Sequence, residues 1–524
     1  MSFASSAFEV SGDATRRSPL ATRNSLLLHS KRMKLRLLVA VCALFFVTAA
    51  AQTPAQPSPS PVPSTVLQVP VPPPPANPEG AKPETKITPQ QAQELFRSVD
   101  KILKFVSEDT GLPIKHRVKR QLADRSQIED YIGSRLKQDE ETTRLEHSSV
   151  VLKKFGLIPR DFDLREFLIA LLREQVAGYY DAKTKAVYLL DWVEPDEQKP
   201  VLAHELTHAL QDQNFGLDRL TKGATRHDPT GLAADERLAA RQAVMEGQAM
   251  IVSMDYMLAP MGTSVARQPE LVEAMQAGLS AATPGNAVFN RAPLFLQQVL
   301  LFPYRYGALF ERDVLLAKGK QRAFAGTLKH PPEDTRQVML AATYLDGQLV
   351  PVLPPVDFEK LADRYPTWDI SLMGEFDVFL LLQQYATPEI ANDLSQMWRG
   401  GYYWAGKTPT APKDDRALTP SGLAVAYVSR WLNDAAATEF AGIYSENVKK
   451  RYPGAQQTAG LVAPKLEEPP IAGVQVTISP RLPGPIVWQT SDGEISIEVR
   501  DNTVLVMETL DPQTAKAIRD AVFP

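Results

Sequence analysis

The residues that most restrict this chain lie in one short run, Val201-Leu-Ala-His204-Glu205-Leu-Thr-His208-Ala-Leu-Gln-Asp212. Upstream, Pro195 fits a first helical turn, and Asp196 and Glu197 favour its positive end, so a helix is expected to begin there. Residues four apart share a helix face, so both imidazoles can reach one tetrahedral ion. Glu205 lies about 100° further round the axis, where it can bond a water beside that ion and carry its proton. Val201, Leu202, Leu206, Ala209 and Leu210 supply the apolar faces of a helix buried beside a cleft. Two imidazoles do not close a catalytic metal site, so the fold must bring a third ligand to the same face.

Composition narrows the choice of that ligand. The 524 residues contain one cysteine, Cys42, which excludes Cys-rich zinc sites, iron–sulfur sites and intrachain disulfides. The donors must therefore be His, Asp or Glu. A histidine six residues after His208 would extend the pattern, but Asn214 stands there. Glu246 is favoured, in the separate helical run Ala240-Arg-Gln-Ala-Val-Met-Glu246-Gly-Gln-Ala249, where Gly247, Ala243 and Ala249 allow close packing. His227, on a loop flanked by Gly, Pro and Asp, and Glu236 are its rivals. The expected cofactor is one zinc ion, with its fourth position left to water.

The surrounding sequence supplies further expectations. Val176 to Asp181 and Ala186-Val187-Tyr188-Leu189-Leu190 read as a short hairpin turning at Ala182 to Lys185. An extended substrate would align on the second of these strands. Tyr304, Tyr306, His227 and His330 are candidates to stabilise developing negative charge. Asp212, one turn beyond His208, could orient an imidazole.

Taken together, His204 to Asp212, the Glu246-Gly-Gln-Ala segment and the strand before the motif resemble the gluzincins, His-Glu-x-x-His metallopeptidases whose third ligand is a glutamate on a following helix. The runs Glu174-Gln-Val-Ala-Gly-Tyr-Tyr-Asp181 and His204 to Gln213, with Phe302-Pro-Tyr304 to Gly307 and Gly374-Glu-Phe376, are similar to a poorly characterised group of bacterial zincin-like proteins. The resemblance covers about 90 to 410. It implies His204, His208 and Glu246 as zinc ligands and Glu205 as general base, hydrolysing peptide bonds without a covalent intermediate. It identifies no substrate. The alternatives are a catalytically idle zincin-like scaffold in envelope assembly or binding, and a zinc hydrolase of a non-peptide bond.

The N-terminus reads as an export signal. Lys31 to Arg36 is basic, and the stretch from Leu37 to Ala51 is apolar and ends in small residues, which predicts a signal peptide over 1–51, with a translation start expected at Met33. Secretion or periplasmic location follows, with membrane contact only during export or through an uncleaved signal. Residues 52–89, including Pro72 to Pro75, are expected to be a Pro-rich disordered linker. The fold class expected is α+β: a predominantly helical zincin-like domain over 90–455, with a small sheet beside the motif helix, then a Pro-rich joint and small strand-rich C-terminal module over 456–524. Helices are expected at 293–319, 374–398 and about 423–450, with a break at Arg399 to Gly406. The formal charge of -4 offers no summed positive field, so a peptide or protein substrate is expected as partner and nucleic acid is not.

Overall fold

The computed structural model describes residues 86–128, 139–175, 178–223, 231–280, 287–460 and 484–524. The expected signal peptide, Met33, Cys42, most of the linker, His227 and most of the Pro-rich joint lie outside them. No helix among the described residues is long and apolar enough to cross a membrane.

Helix α1 (Pro89–Thr110) starts where its sequence dictates. The Thr88 side chain accepts from Gln91 N while Gln91 Oε1 accepts from Thr88 N, and Pro89 fills the first helical position. Leu95, Val99, Ile102, Leu103 and Val106 form its buried stripe. Strand β1 (Lys119–Ala123) and helices α2 (Asp139–Lys154) and α3 (Leu164–Gln175) precede the hairpin β2 (Tyr179–Asp181) and β3 (Ala186–Leu190). β3 is the middle strand of a small sheet, parallel to β1 and antiparallel to β2.

The motif helix α4 (Pro195–Phe215) is buried on every face from Val201 to Asp212. It is covered by α1, by the small sheet and by α5 (Ala234–Leu258), and α6 (Leu294–Lys318) packs along α5. Here glycine is required twice. A Cβ on Gly247 would stand 2.2 Å from the Gly307 carbonyl, and one on Gly307 would stand 2.1 Å from Ala243 O. The two backbones touch, as the small residues around Glu246 led one to expect.

After the short helix α7 (Thr335–Met339), the chain builds a seven-stranded antiparallel sheet that departs from the expectations. It contains β4 (Thr367–Leu372), β5 (Trp398–Lys407), β6 (Leu423–Trp431), β7 (Gln456–Ala459), β8 (Ile486–Thr490), β9 (Gly493–Arg500) and β10 (Thr503–Glu508), in the order β4-β5-β6-β10-β9-β8-β7. Helix α8 (Glu375–Tyr385) follows β4, α9 (Asp434–Glu446) follows β6, and α10 (Pro512–Val522) ends the chain.

Three expectations are corrected here. The run Arg399 to Gly406 is most of strand β5 rather than a break between helices. Leu423 to Trp431 is strand β6, and only the residues from Asp434 are helical. β6 is buried at every residue but Arg430, so it lacks the in–out alternation that marks a half-exposed strand. Third, the C-terminal strands are no separate module. β10 pairs with β6 from Thr503↔Arg430 to Glu508↔Val425, covering an edge that would otherwise present unpaired backbone groups. Buried charges fasten the same join: Glu508 accepts from Arg451 Nη2 and Tyr444 Oη, each at 2.7 Å, and Lys154, 1% exposed, donates to Asp492 and Thr509. The coarse class, helices with a small and a large sheet, is α+β as expected.

Candidate metal centre

Helix α4 presents His204 and His208 on one face, and α5 brings Glu246 across from them. All three are at least nine-tenths buried, at 5%, 8% and 6% exposure. His204 Nε2 stands 3.2 Å from Glu246 Oε2 and 3.2 Å from His208 Nε2, and His208 Nε2 stands 3.4 Å from Glu246 Oε2. Ligand distances of about 2.0 to 2.1 Å in a tetrahedron put neighbouring donors about 3.3 Å apart. The three donor atoms already have that spacing, so the residues fit a small divalent ion. Among the described residues they are the one group of His, Cys, Asp and Glu so arranged.

The His208 ring is oriented by Gln211. Its Nδ1 donates to Gln211 Oε1 at 2.9 Å, which leaves Nε2 facing the other two donors. The Gln211 amide is fixed in turn, donating to Met245 O and to Gln248 Oε1 at 3.0 Å each. Gln248 Nε2 is held by Phe324 O and Thr327 Oγ1 at 2.9 Å. A buried amide chain therefore ties the two ligand-bearing helices together.

Glu205 is tied to the hairpin through one of its two oxygens. Its Oε2 accepts from Tyr180 N at 2.7 Å, while Oε1 is buried and, among the described residues, has no hydrogen-bond partner. Burial pushes its carboxyl up to about 8, against the pull of His208 and with the help of Glu246. Burial also pulls His208 down, but Glu246, Glu205 and Gln211 together push it up to about 9. Glu246 is raised by burial, yet the two imidazoles hold it well below the usual carboxylate range. Burial, with His208 beside it, lowers His204 against the pull of Glu246.

The other candidates separate on position. The rival ligand Glu236 faces elsewhere, its Oε2 accepting from Thr335 N and Oγ1 at 3.0 and 2.9 Å. Asp212 orients no imidazole. Its Oδ2 accepts from Tyr180 Oη at 2.8 Å and Lys185 Nζ at 2.6 Å, which pins the hairpin to α4. Gln211, one residue earlier, takes the orienting place, since a side chain three residues on from His208 reaches it as readily as one four on. Sequence reasoning passed over Gln211 and Tyr180; the spacing of Gln211 was the available signal, and Tyr180 acts through its backbone, which leaves none.

Tyr304 is fully buried, its ring 6.3 Å from that of His204. Tyr306 instead packs with Phe302 and Phe376, and His330 is exposed at the end of a short helix. Ala186 to Leu190 does not offer a free edge, because β3 is paired on both sides. The sheet edge beside Glu205 belongs to β2. Compared with known protein families, curated proteins and solved structures, the chain matches none.

Proposed function

We propose that this chain is an exported zinc-dependent metallopeptidase of the gluzincin kind, with His204, His208 and Glu246 as ligands and Glu205 as general base. The observation that carries the reading is the tetrahedral spacing of three buried donors, with a carboxylate one residue from the first of them, one oxygen of which has no hydrogen-bond partner among the described residues. Zinc bound there would polarise a carbonyl and make water a better nucleophile near neutral pH. The chain supplies the rest. Tyr180 N holds one oxygen of Glu205, leaving Oε1 to take a proton and return it to the leaving amine. Gln211 holds His208 in the tautomer a ligand needs. A substrate lying extended would use the outer edge of β2 in place of β3. A three-ligand set beside an intact general base favours catalysis over a structural ion, which would take four protein ligands.

The test is zinc stoichiometry of the purified chain, with chelator-sensitive cleavage of a mixed peptide library by the wild type and by Glu205→Gln. One zinc per chain and cleavage by the wild type alone are expected. A chain without zinc, or a Gln variant that cleaves equally well, would overturn the reading. Zinc without cleavage by either would point to the idle scaffold.

A further inference from the structure

Gln248 stands two residues past Glu246, about 200° further round α5, so its side chain leaves the three donors and runs toward α6. It is fully buried, and four oxygens surround its Nε2: Phe324 O and Thr327 Oγ1 at 2.9 Å, Ala323 O at 3.1 Å and Glu311 Oε1 at 3.3 Å. Ala323 and Phe324 belong to a π-helical turn (Gln321–Gly326) that follows α6, and Thr327 comes directly after it. Such turns are rare and are frequent at functional sites.

The surrounding oxygens fix which way the amide faces. Main-chain carbonyls only accept, so Gln248 must offer its NH2 to Ala323 and Phe324 and turn its own oxygen to Gln211. That oxygen also only accepts, so Gln211 must present its NH2 there, as Met245 O requires of the same group. The oxygen of Gln211 is thereby left for His208 Nδ1, and an acceptor at Nδ1 holds the ring proton on that nitrogen. A polarity set at the π-helical turn thus reaches the imidazole through two amides.

Glu311, on α6, is the member that is hardest to bury. It is 1% exposed, its Oε2 has no hydrogen-bond partner among the described residues, and burial raises its carboxyl well above the usual range against the bonds from Thr327 and Gln248. An apolar side chain would fill the same place without that penalty. What the carboxyl adds is an acceptor where the turn meets α6. The Thr327 hydroxyl lies within reach of Glu311 Oε1, at 3.0 Å, and of Ala323 O. The Gln248 amide and this hydroxyl carry three hydrogens between them, and Ala323 O, Phe324 O and Glu311 Oε1 can accept all three.

We propose that Gln248, anchored by Glu311 and Thr327, is a positioning residue for the metal centre, holding the His208 proton on Nδ1 through Gln211 and so turning a bare Nε2 to the ion. Without it Gln211 keeps only Met245 O to orient its amide, and the ring is freer to carry its proton on Nε2, where a proton blocks a metal bond. The binding of an ion rests on the metallopeptidase reading; the place of the proton does not.

The test uses the full chain with 15N-labelled histidine and with metal removed by chelator. At a pH where the His208 ring is neutral, its two ring-nitrogen shifts report which nitrogen carries the proton, and His208→Asn assigns the signals. The wild type and Glu311→Gln, whose amide oxygen replaces Oε1, should hold the proton on Nδ1. Gln248→Leu, Glu311→Leu and Thr327→Val should move it toward Nε2 and bind zinc about tenfold more weakly in chelator competition. Thr327→Val, nearly the same shape, serves where Glu311→Leu does not fold. Phe310→Leu, a packing change beside Glu311, should lower the Tm and leave the proton in place. A wild-type proton on Nε2, a proton unmoved by Gln248→Leu or by both anchor variants, or an equal shift in Phe310→Leu would overturn the proposal. A proton moved by Gln248→Leu in a chain that binds no zinc would sustain it while overturning the metal reading. Zinc bound by a chain in which no variant moves the proton would do the reverse.

Discussion

The main-chain N–H of Tyr180 donates to Oε2 of Glu205 at 2.7 Å, so the edge strand of the small sheet and the motif helix meet at the one carboxylate proposed to move a proton. Seven residues on, Asp212 holds the hydroxyl of the same tyrosine. Two turns of α4 thus grip one residue of β2 through backbone and side chain. Glu205→Gln keeps an acceptor for Tyr180 N and removes the base. Cleavage should fall by about 10²- to 10⁴-fold in kcat while zinc content and fold are unchanged, as read by steady-state kinetics and metal analysis.

Metal affinity should depend on Gln211 through His208. Gln211→Leu leaves Nδ1 of a buried imidazole without its acceptor, and a loss of about 10- to 100-fold in zinc affinity is expected. Gln211→Glu retains an acceptor and should lose less. Competition with a chromogenic chelator measures both. The same change at Asp212, Asp212→Leu, should weaken the hairpin contact and leave the intrinsic affinity nearer to that of the wild type.

The metal-free chain should lose stability as pH rises from about 6.5 to about 9. The sign follows from two groups. Burial raises Glu205 to about 8, and the surrounding carboxylates and Gln211 raise His208 to about 9 against burial. A group raised on folding binds its proton more tightly in the native state. Its contribution is fully present below the unfolded value and is lost as pH climbs through the folded one. Glu246 and His204, both held low, act oppositely, Glu246 below about 4.5 and His204 below about 6.5, where it offsets Glu205. Thermal melts in chelator should therefore give the highest Tm in mildly acid buffer, and Glu205→Gln should flatten the decline. Because ligands must lose protons to bind metal, zinc affinity should rise with pH over the same range, by about tenfold per unit for one displaced proton.

Gly247→Ala and Gly307→Ala should each destabilise the chain by about 1–3 kcal/mol or more, because the new Cβ would overlap backbone on the facing helix. Since Glu246 precedes Gly247, the first substitution should weaken zinc binding as well. Denaturant melts and chelator competition on the same preparations separate the two effects.

Removing the C-terminal strands should unfold the large sheet. Glu508→Ala would strand Arg451 as a buried charge, at a cost of about 3–5 kcal/mol in a denaturant melt. A chain ending at residue 455 would expose the β6 edge and is expected to aggregate on expression. A soluble, zinc-binding product of that truncation would show that the C-terminal strands are dispensable.

What was legible in the sequence was local. The spacing of His204 and His208, the Pro195 start of their helix and the 182–185 turn follow from backbone periodicity and turn chemistry, which act over a few residues. Glu246 was reachable because small residues at Ala243, Gly247 and Ala249 declare a close helix contact. Only tertiary structure decided which edges are free and which polar groups meet. β3 became an inner strand because β1, more than sixty residues earlier, pairs with it. Leu423 to Trp431 became a strand because β10 and β5 flank it, where an apolar run by itself reads equally as helix. Gln211 rather than Asp212 took the imidazole because a hairpin tyrosine and Lys185 had already claimed the aspartate. Burial and pairing depend on what the rest of the chain brings alongside, and short-range periodicity carries no record of that.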